Sequence, residues 1–179
     1  KMLEDELSYN IQGATVKQLR LRDLEKLLHK HPWIRQAQLY VDNQRLLHVQ
    51  IAERVPVARI FTKSGQSFYI DSSAIKLPLS ESAFANVPVF TNLPDRSEDL
   101  SPSEYLLWKQ ISVLGENIKK DSFLLLQIGQ IKLIPQFTFE MFPVMGNHVI
   151  EFGTTENYEE KLKRLSVFYK KILVNVGFN

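Results

Sequence analysis

Apolar residues recur along this chain first at helical and then at strand spacing. Leu21, Leu24, Leu27 and Leu28 fall three and four residues apart, with Arg20, Arg22, Lys26 and Lys30 on the opposite side. That predicts a helix, and Pro32 ends it, because the residue before a proline avoids helical angles. A strand alternating through Ala37, Leu39 and Val41 follows, then a turn at Asp42-Asn43-Gln44 and a second strand through Leu47, Val49 and Ile51. A charged, helix-like pattern, Leu3-Glu4-Asp5-Glu6-Leu7, opens the chain.

From Pro56 onward strand signals dominate. Ala58 to Phe61 and Phe68 to Asp71 flank a hairpin turn at Lys63-Ser64-Gly65-Gln66. Pro78, Pro88 and Pro94 then divide the chain into short extended pieces, which places these prolines at edges or between strands. Ser101 before Pro102 predicts a capped helix start, and Tyr105, Leu106, Trp108, Ile111 and Ile118 carry that helix to about Lys120. Three strands are expected next, over Ser122 to Ile134, Phe137 to Phe142 and His148 to Phe152. The clearest helix comes last. Tyr158, Leu162, Leu165, Tyr169, Ile172 and Val176 form its stripe, Asn157 with Glu160 its expected capping pair and Gly177 its stop. The aromatic and apolar residues Phe137, Phe139, Met141, Phe142 and Phe152 read as core.

The order of residues from Val49 to Val89 resembles the extracytoplasmic region of the bacterial FtsQ cell-division family. The resemblance rests on Glu53-Arg54-Val55-Pro56-Val57-Ala58, Phe68-Tyr69-Ile70-Asp71, Leu77-Pro78-Leu79 and Val87-Pro88-Val89. It extends to Phe137-Thr138-Phe139-Glu140-Met141, Gly146, Val149-Ile150-Glu151-Phe152-Gly153 and Lys161-Leu162-Lys163-Arg164-Leu165 with Tyr169. Phe152 stands where leucine is usual, and Ala74 where the family often has glycine. The resemblance implies an α+β fold, with a POTRA-like α/β unit over residues 1–55 and a mixed β-sheet domain with packed helices over 56–179. Glu53, Arg54 and Pro56 would form the junction and help set the domain angle. It implies that the POTRA unit's first strand and the β domain's final strand fall outside this stretch, that a single N-terminal membrane anchor precedes it, and that Lys1 is not a natural start.

By the same resemblance the function is a non-catalytic scaffold. It would sit in the inner membrane, face the periplasm and link early and late division proteins, FtsB and FtsL chief among them. The expected partner-binding edge is His148, Val149, Ile150, Glu151 and Phe152, unpaired because the strand that should follow the last helix is absent. The alternative is a POTRA-type periplasmic escort for outer-membrane or secreted proteins. An envelope enzyme is a third, weaker reading.

Composition narrows the chemistry. The 179 residues are 44% hydrophobic and 23% charged, ordinary values for a globular chain, and the net charge of +2 gives no footprint for nucleic acid. Cysteine is absent, which removes thiolate metal sites, disulfides and cysteine nucleophiles. The longest dense apolar segment, Phe123 to Ile128, is far short of the ~20 residues that span a bilayer. His29, His31, His48 and His148 are spaced as surface histidines rather than as ligands, and no metal is expected. No nucleophile elbow, phosphate loop or H-E-x-x-H is present, so no catalytic residue, nucleotide or cofactor is expected. Asp71, which closes a strand, reads as a turn former rather than a general base.

Overall fold

The computed structural model describes residues 20–80, 84–97 and 99–173. The helical pattern expected at Leu3 to Leu7, and the expected contributions of Val176 and Gly177, lie outside them. The chain divides into two compact units, Lys1–Arg54 and Val55–Asn179, and the fold is mixed α+β.

In the first unit, helix α1 (Leu21–His29) lies on a hairpin of β1 (Ile34–Val41) and β2 (Leu47–Glu53). Leu24 and Leu28 of the helix meet Ile34, Ala37 and Leu39. Asp42 builds the hairpin turn, its Oδ1 accepting from the N–H groups of Gln44 at 2.8 Å and Leu46 at 2.9 Å. The strand alternation is as the sequence predicts, but burial is uneven. Ala37 and Leu39 are buried, whereas their cross-strand partners Ile51 and Val49 are 47% and 41% exposed.

The second unit is built on a seven-stranded sheet. Its strands are β3 (Pro56–Thr62), β4 (Ser67–Asp71), β5 (Lys76–Leu77), β6 (Val89–Leu93), β7 (Ile128–Ile134), β8 (Thr138–Pro143) and β9 (Ile150–Gly153), in the order β5-β4-β3-β6-β7-β8-β9. The pairs β3–β6 and β6–β7 are parallel and the others antiparallel. Parallel neighbours need a long crossover, and the β6-to-β7 crossover is helical, through α2 (Pro102–Lys120) and α3 (Ser122–Gln127). Pro88 and Pro94 bracket β6, where a missing N–H removes no ladder bond from within the strand.

Helix α2 starts where the sequence places it. Ser101 Oγ accepts from the Glu104 N–H at 3.3 Å, and Glu104 Oε2 accepts from the Ser101 N–H at 2.9 Å. The helix presses Leu107, Trp108, Ile111, Leu114 and Ile118 into the core, against Ala58, Ile60, Phe68, Phe90, Ile131, Phe139 and Met141. Tyr105 and Leu106, both in the expected stripe, are instead 53% and 57% exposed. Gly115 lets the helix approach the sheet closely. A Cβ there would lie 2.6 Å from the Val57 carbonyl oxygen and 3.1 Å from Ala58 Cβ.

Three expectations are corrected. Ser122 to Ile134 is not one strand: Asp121 Oδ1 accepts from the N–H groups of Phe123 and Leu124, which caps α3, and β7 begins only at Ile128. Asn157 does not cap α4 (Tyr158–Phe168). It sits at φ 51°, its side chain makes no cap bond, and Glu160 pairs with Arg164 at 2.5 Å. Past Phe168 the helix loosens into a π turn, Tyr169–Leu173. Phe139, Met141 and Phe152 are core as expected, but Phe137 is 54% exposed. Asp71 is a turn former, its Oδ1 accepting from the N–H groups of Ser73 at 2.9 Å and Ile75 at 2.8 Å.

Two stability outcomes follow from α2. Gly115→Ala adds a methyl against backbone that cannot step aside. The overpacking penalty of ~1–3 kcal/mol exceeds the ~1 kcal/mol gain in helix propensity, so a lower urea midpoint is expected. A variant as stable as the parent would mean the helix is free to lift. Ser101→Ala removes the N-cap and should cost ~1 kcal/mol at neutral pH. The Ser101 bonds hold the Glu104 carboxyl below its usual range. That contribution is present above the ordinary carboxylate pKa and fades as pH falls through the depressed value. The stability gap between parent and variant should therefore narrow in acid, and a constant gap in melting curves at both pH values would remove the carboxylate's part.

Candidate functional site

Strand β9 ends the sheet. It pairs with β8 through Met141↔Ile150, Glu140↔Glu151 and Phe139↔Gly153, and among the described residues no strand lies on its other side. A strand at the end of a sheet presents unpaired N–H and C=O groups toward solvent. Ile150 and Phe152 turn to the helix-covered face, while Glu151 is exposed. Gly153 closes the strand at φ +72°, a conformation that favours glycine.

Helix α4 flanks this strand because its stripe needs a surface. Leu162 is buried, and Tyr158 and Leu165 pack against the same core. Between strand and helix runs a groove of about 320 Å³ with Ile150, Phe152, Leu165 and Phe168 along it and Lys161 and Arg164 at its side. Lys161 Nζ donates to the Thr154 carbonyl at 2.8 Å and lies 5.3 Å from the centre of the Phe152 ring. The arrangement offers main-chain pairing, an apolar trough and positive charge on one side. Nothing in it resembles a nucleophile with a base.

The expected edge residues do not all lie in the strand. Ile150, Glu151 and Phe152 do, whereas His148 and Val149 belong to the segment leading into it. His148 Nε2 is 2.8 Å from the Tyr169 hydroxyl. Tyr169 is 2% exposed, and burial pushes its phenol pKa up. This bond ties the approach to β9 to the end of α4. Four groove residues carry no binding role in the sequence analysis: Leu165, which belongs to the apolar stripe, and Lys161, Arg164 and Phe168, which flank it.

The other expected residues lie elsewhere. Glu53 ends β2 opposite Ile34, and the Arg54 N–H donates to the Trp33 carbonyl at 2.7 Å. Pro56 opens β3, is buried, and its carbonyl accepts from Lys119 Nζ at 2.9 Å. Strands β6, β7 and β8 separate Pro56 from β9. His29 Nδ1 is 2.7 Å from the Glu25 carbonyl, and His48 is 2.7 Å from Asp42 Oδ2. Among the described residues no group of three or more His, Asp or Glu side chains is placed to hold a metal ion, and no helix is long and apolar enough to cross a membrane.

A cell division protein FtsQ from Geotalea daltonii (strain DSM 22248 / JCM 15807 / FRC-32) is 26% identical over 169 residues, covering 93% of this chain and 60% of that protein. The chain thus spans less than two thirds of the relative's length. A family model described as FtsQ/DivIB, C-terminal related, matches residues 55–179, the whole of the second unit. The chain belongs to the FtsQ/DivIB family of cell-division proteins.

Proposed function

We propose that this chain is the periplasmic part of a non-catalytic divisome scaffold, held at the inner membrane, that joins early and late division proteins. Family membership gives the role in cell division. The finer reading makes residues 1–54 a POTRA-like docking unit and the second unit a receptor for FtsB and, with it, FtsL. The match does not favour the escort alternative.

One observation carries the mechanism: the outer side of β9 faces no strand among the described residues, and an apolar groove lies beside it. A peptide strand laid on this edge gains main-chain hydrogen bonds, and alternate side chains reach the trough over Phe152, Leu165 and Phe168. Lys161 favours an acidic residue at the rim, whereas Arg164 already pairs with Glu160. Glu151 also lines the groove, as a carboxylate on its strand side.

Titration with a labelled peptide from the periplasmic part of FtsB tests this. Phe168→Ala, at a partly exposed trough position, should weaken binding by roughly tenfold, and β9 amides should gain exchange protection on binding. Unchanged affinity in Phe168→Ala together with unprotected β9 amides would mean that the partner docks elsewhere.

A further inference from the structure

The hairpin of the first unit has an edge of its own, because among the described residues β1 pairs with β2 and with no other strand. Which backbone groups face outward follows from the turn. The Asp42 N–H donates to the Leu46 carbonyl at 3.0 Å, which makes those two residues a hydrogen-bonded pair continuing the β1–β2 register. Bonded and non-bonded pairs alternate along an antiparallel ladder. Tyr40–His48 and Gln38–Gln50 are therefore bonded pairs. Val41, Leu39 and Ala37, opposite Leu47, Val49 and Ile51, turn their N–H and C=O groups to the outer side of β1. A register shift between Ile34 and Gln36 ends this regular run.

The middle one of these three outward donors is taken. The Leu39 N–H donates to Glu25 Oε1 at 2.9 Å, across 14 residues of sequence from helix α1. The bond is not needed to seat the helix, since Leu24 and Leu28 already pack on Ile34, Ala37 and Leu39. A carboxylate at a strand edge acts twice against an incoming strand. It occupies a donor that the strand would use, and it would have to be buried as a charge in the new seam.

The strand most readily excluded is β1 of a second copy. A two-fold axis at Leu39 sets Ala37 opposite Val41, Gln38 opposite Tyr40 and Gln36 opposite Asp42, with no like charges face to face. The two Glu25 carboxylates would meet at that axis. We infer that Glu25 is an edge guard, an inhibitory contact that keeps β1 from pairing with β1 of another copy of this chain. The inference does not rest on the β9 reading, and its failure leaves that reading untouched.

The test uses the whole chain and reads backbone amide exchange by NMR at low and high protein concentration. Glu25→Ala frees the Leu39 N–H at no cost in helix propensity. In dilute solution Leu39 should then exchange about tenfold faster than in the parent, the loss expected for a hydrogen bond to a charged acceptor. At high concentration the order should reverse. Ala37, Leu39 and Val41 should become protected together, and sedimentation velocity should show a dimer, whereas the parent shows no concentration dependence at these three amides. Glu25→Ser, whose side chain is too short to reach β1, should behave alike, so a folding fault peculiar to one variant does not decide the matter. The amides of His48 and Gln50, bonded inside the hairpin, should stay protected throughout. Unchanged Leu39 exchange in both dilute variants would overturn the proposal. So would fast exchange with no pairing at any concentration, pairing of the parent through the same amides, or self-association that protects 150–153 and leaves 37–41 unprotected.

Discussion

The approach of α2 to β3 at Gly115 governs the second unit. A helix ordinarily stands off a sheet by the length of interleaved side chains. Here the Val57 carbonyl lies where a Cβ on position 115 would be, and Ala58 beneath it is small. The helix therefore sits low enough for Trp108, Ile111 and Ile118 to share one core with Phe68 of β4, Phe90 of β6 and Ile131 of β7. Close packing at this point leaves little tolerance for added volume. It also makes β3 a central strand, with partners on both sides and buried residues on both faces.

A sheet organised from its centre is thin at its ends. Strand β5 has two residues and β9 four, against seven in β3 and β7. Short edge strands limit uncontrolled pairing between molecules, which is how soluble proteins keep an open edge without aggregating. On β9 the protection is incomplete, because the apolar trough continues past the strand onto α4. Such an edge suits a partner that supplies both a strand and side chains, and it discriminates against partners that supply only one.

How much could be read from the sequence depended on whether the signal was local. The N-cap at Ser101, the Asp71 turn and the stripe from Tyr158 to Tyr169 are fixed within a few residues, and each forms as read, with Glu104 completing a capping box that was not read. Leu124-Leu125-Leu126 misled because a short apolar run has the same appearance in a strand and in a buried helix. The deciding signal was Asp121, whose carboxylate caps α3. Asn157 failed as a cap for a backbone reason, since a left-handed residue turns its side chain away from the first turn's N–H groups. The strand order and the uneven cover over Val49 and Ile51 are tertiary properties with no local signature. The candidate edge was legible only through resemblance. The groove beside it needed α4 and β9 in space.

The left-handed residues show how the fold distributes conformational cost. Ala74, where the family often has glycine, has φ 61°, which explains that preference. The alanine survives because its cost is offset locally. Its methyl is in the core, its N–H donates to the Asp71 carbonyl at 2.9 Å, and its own carbonyl accepts from Arg96. Arg96 in turn lies over the Trp108 ring, with burial lowering its pKa and the Asp71 charge opposing that shift. One disfavoured dihedral thus holds together the β4–β5 turn, a half-buried cation and the main helix. Phe137 has the same backbone cost, offset by its place in the hairpin turn that lets Ile134 pair with Thr138. A conformational cost that the fold offsets needs no further explanation.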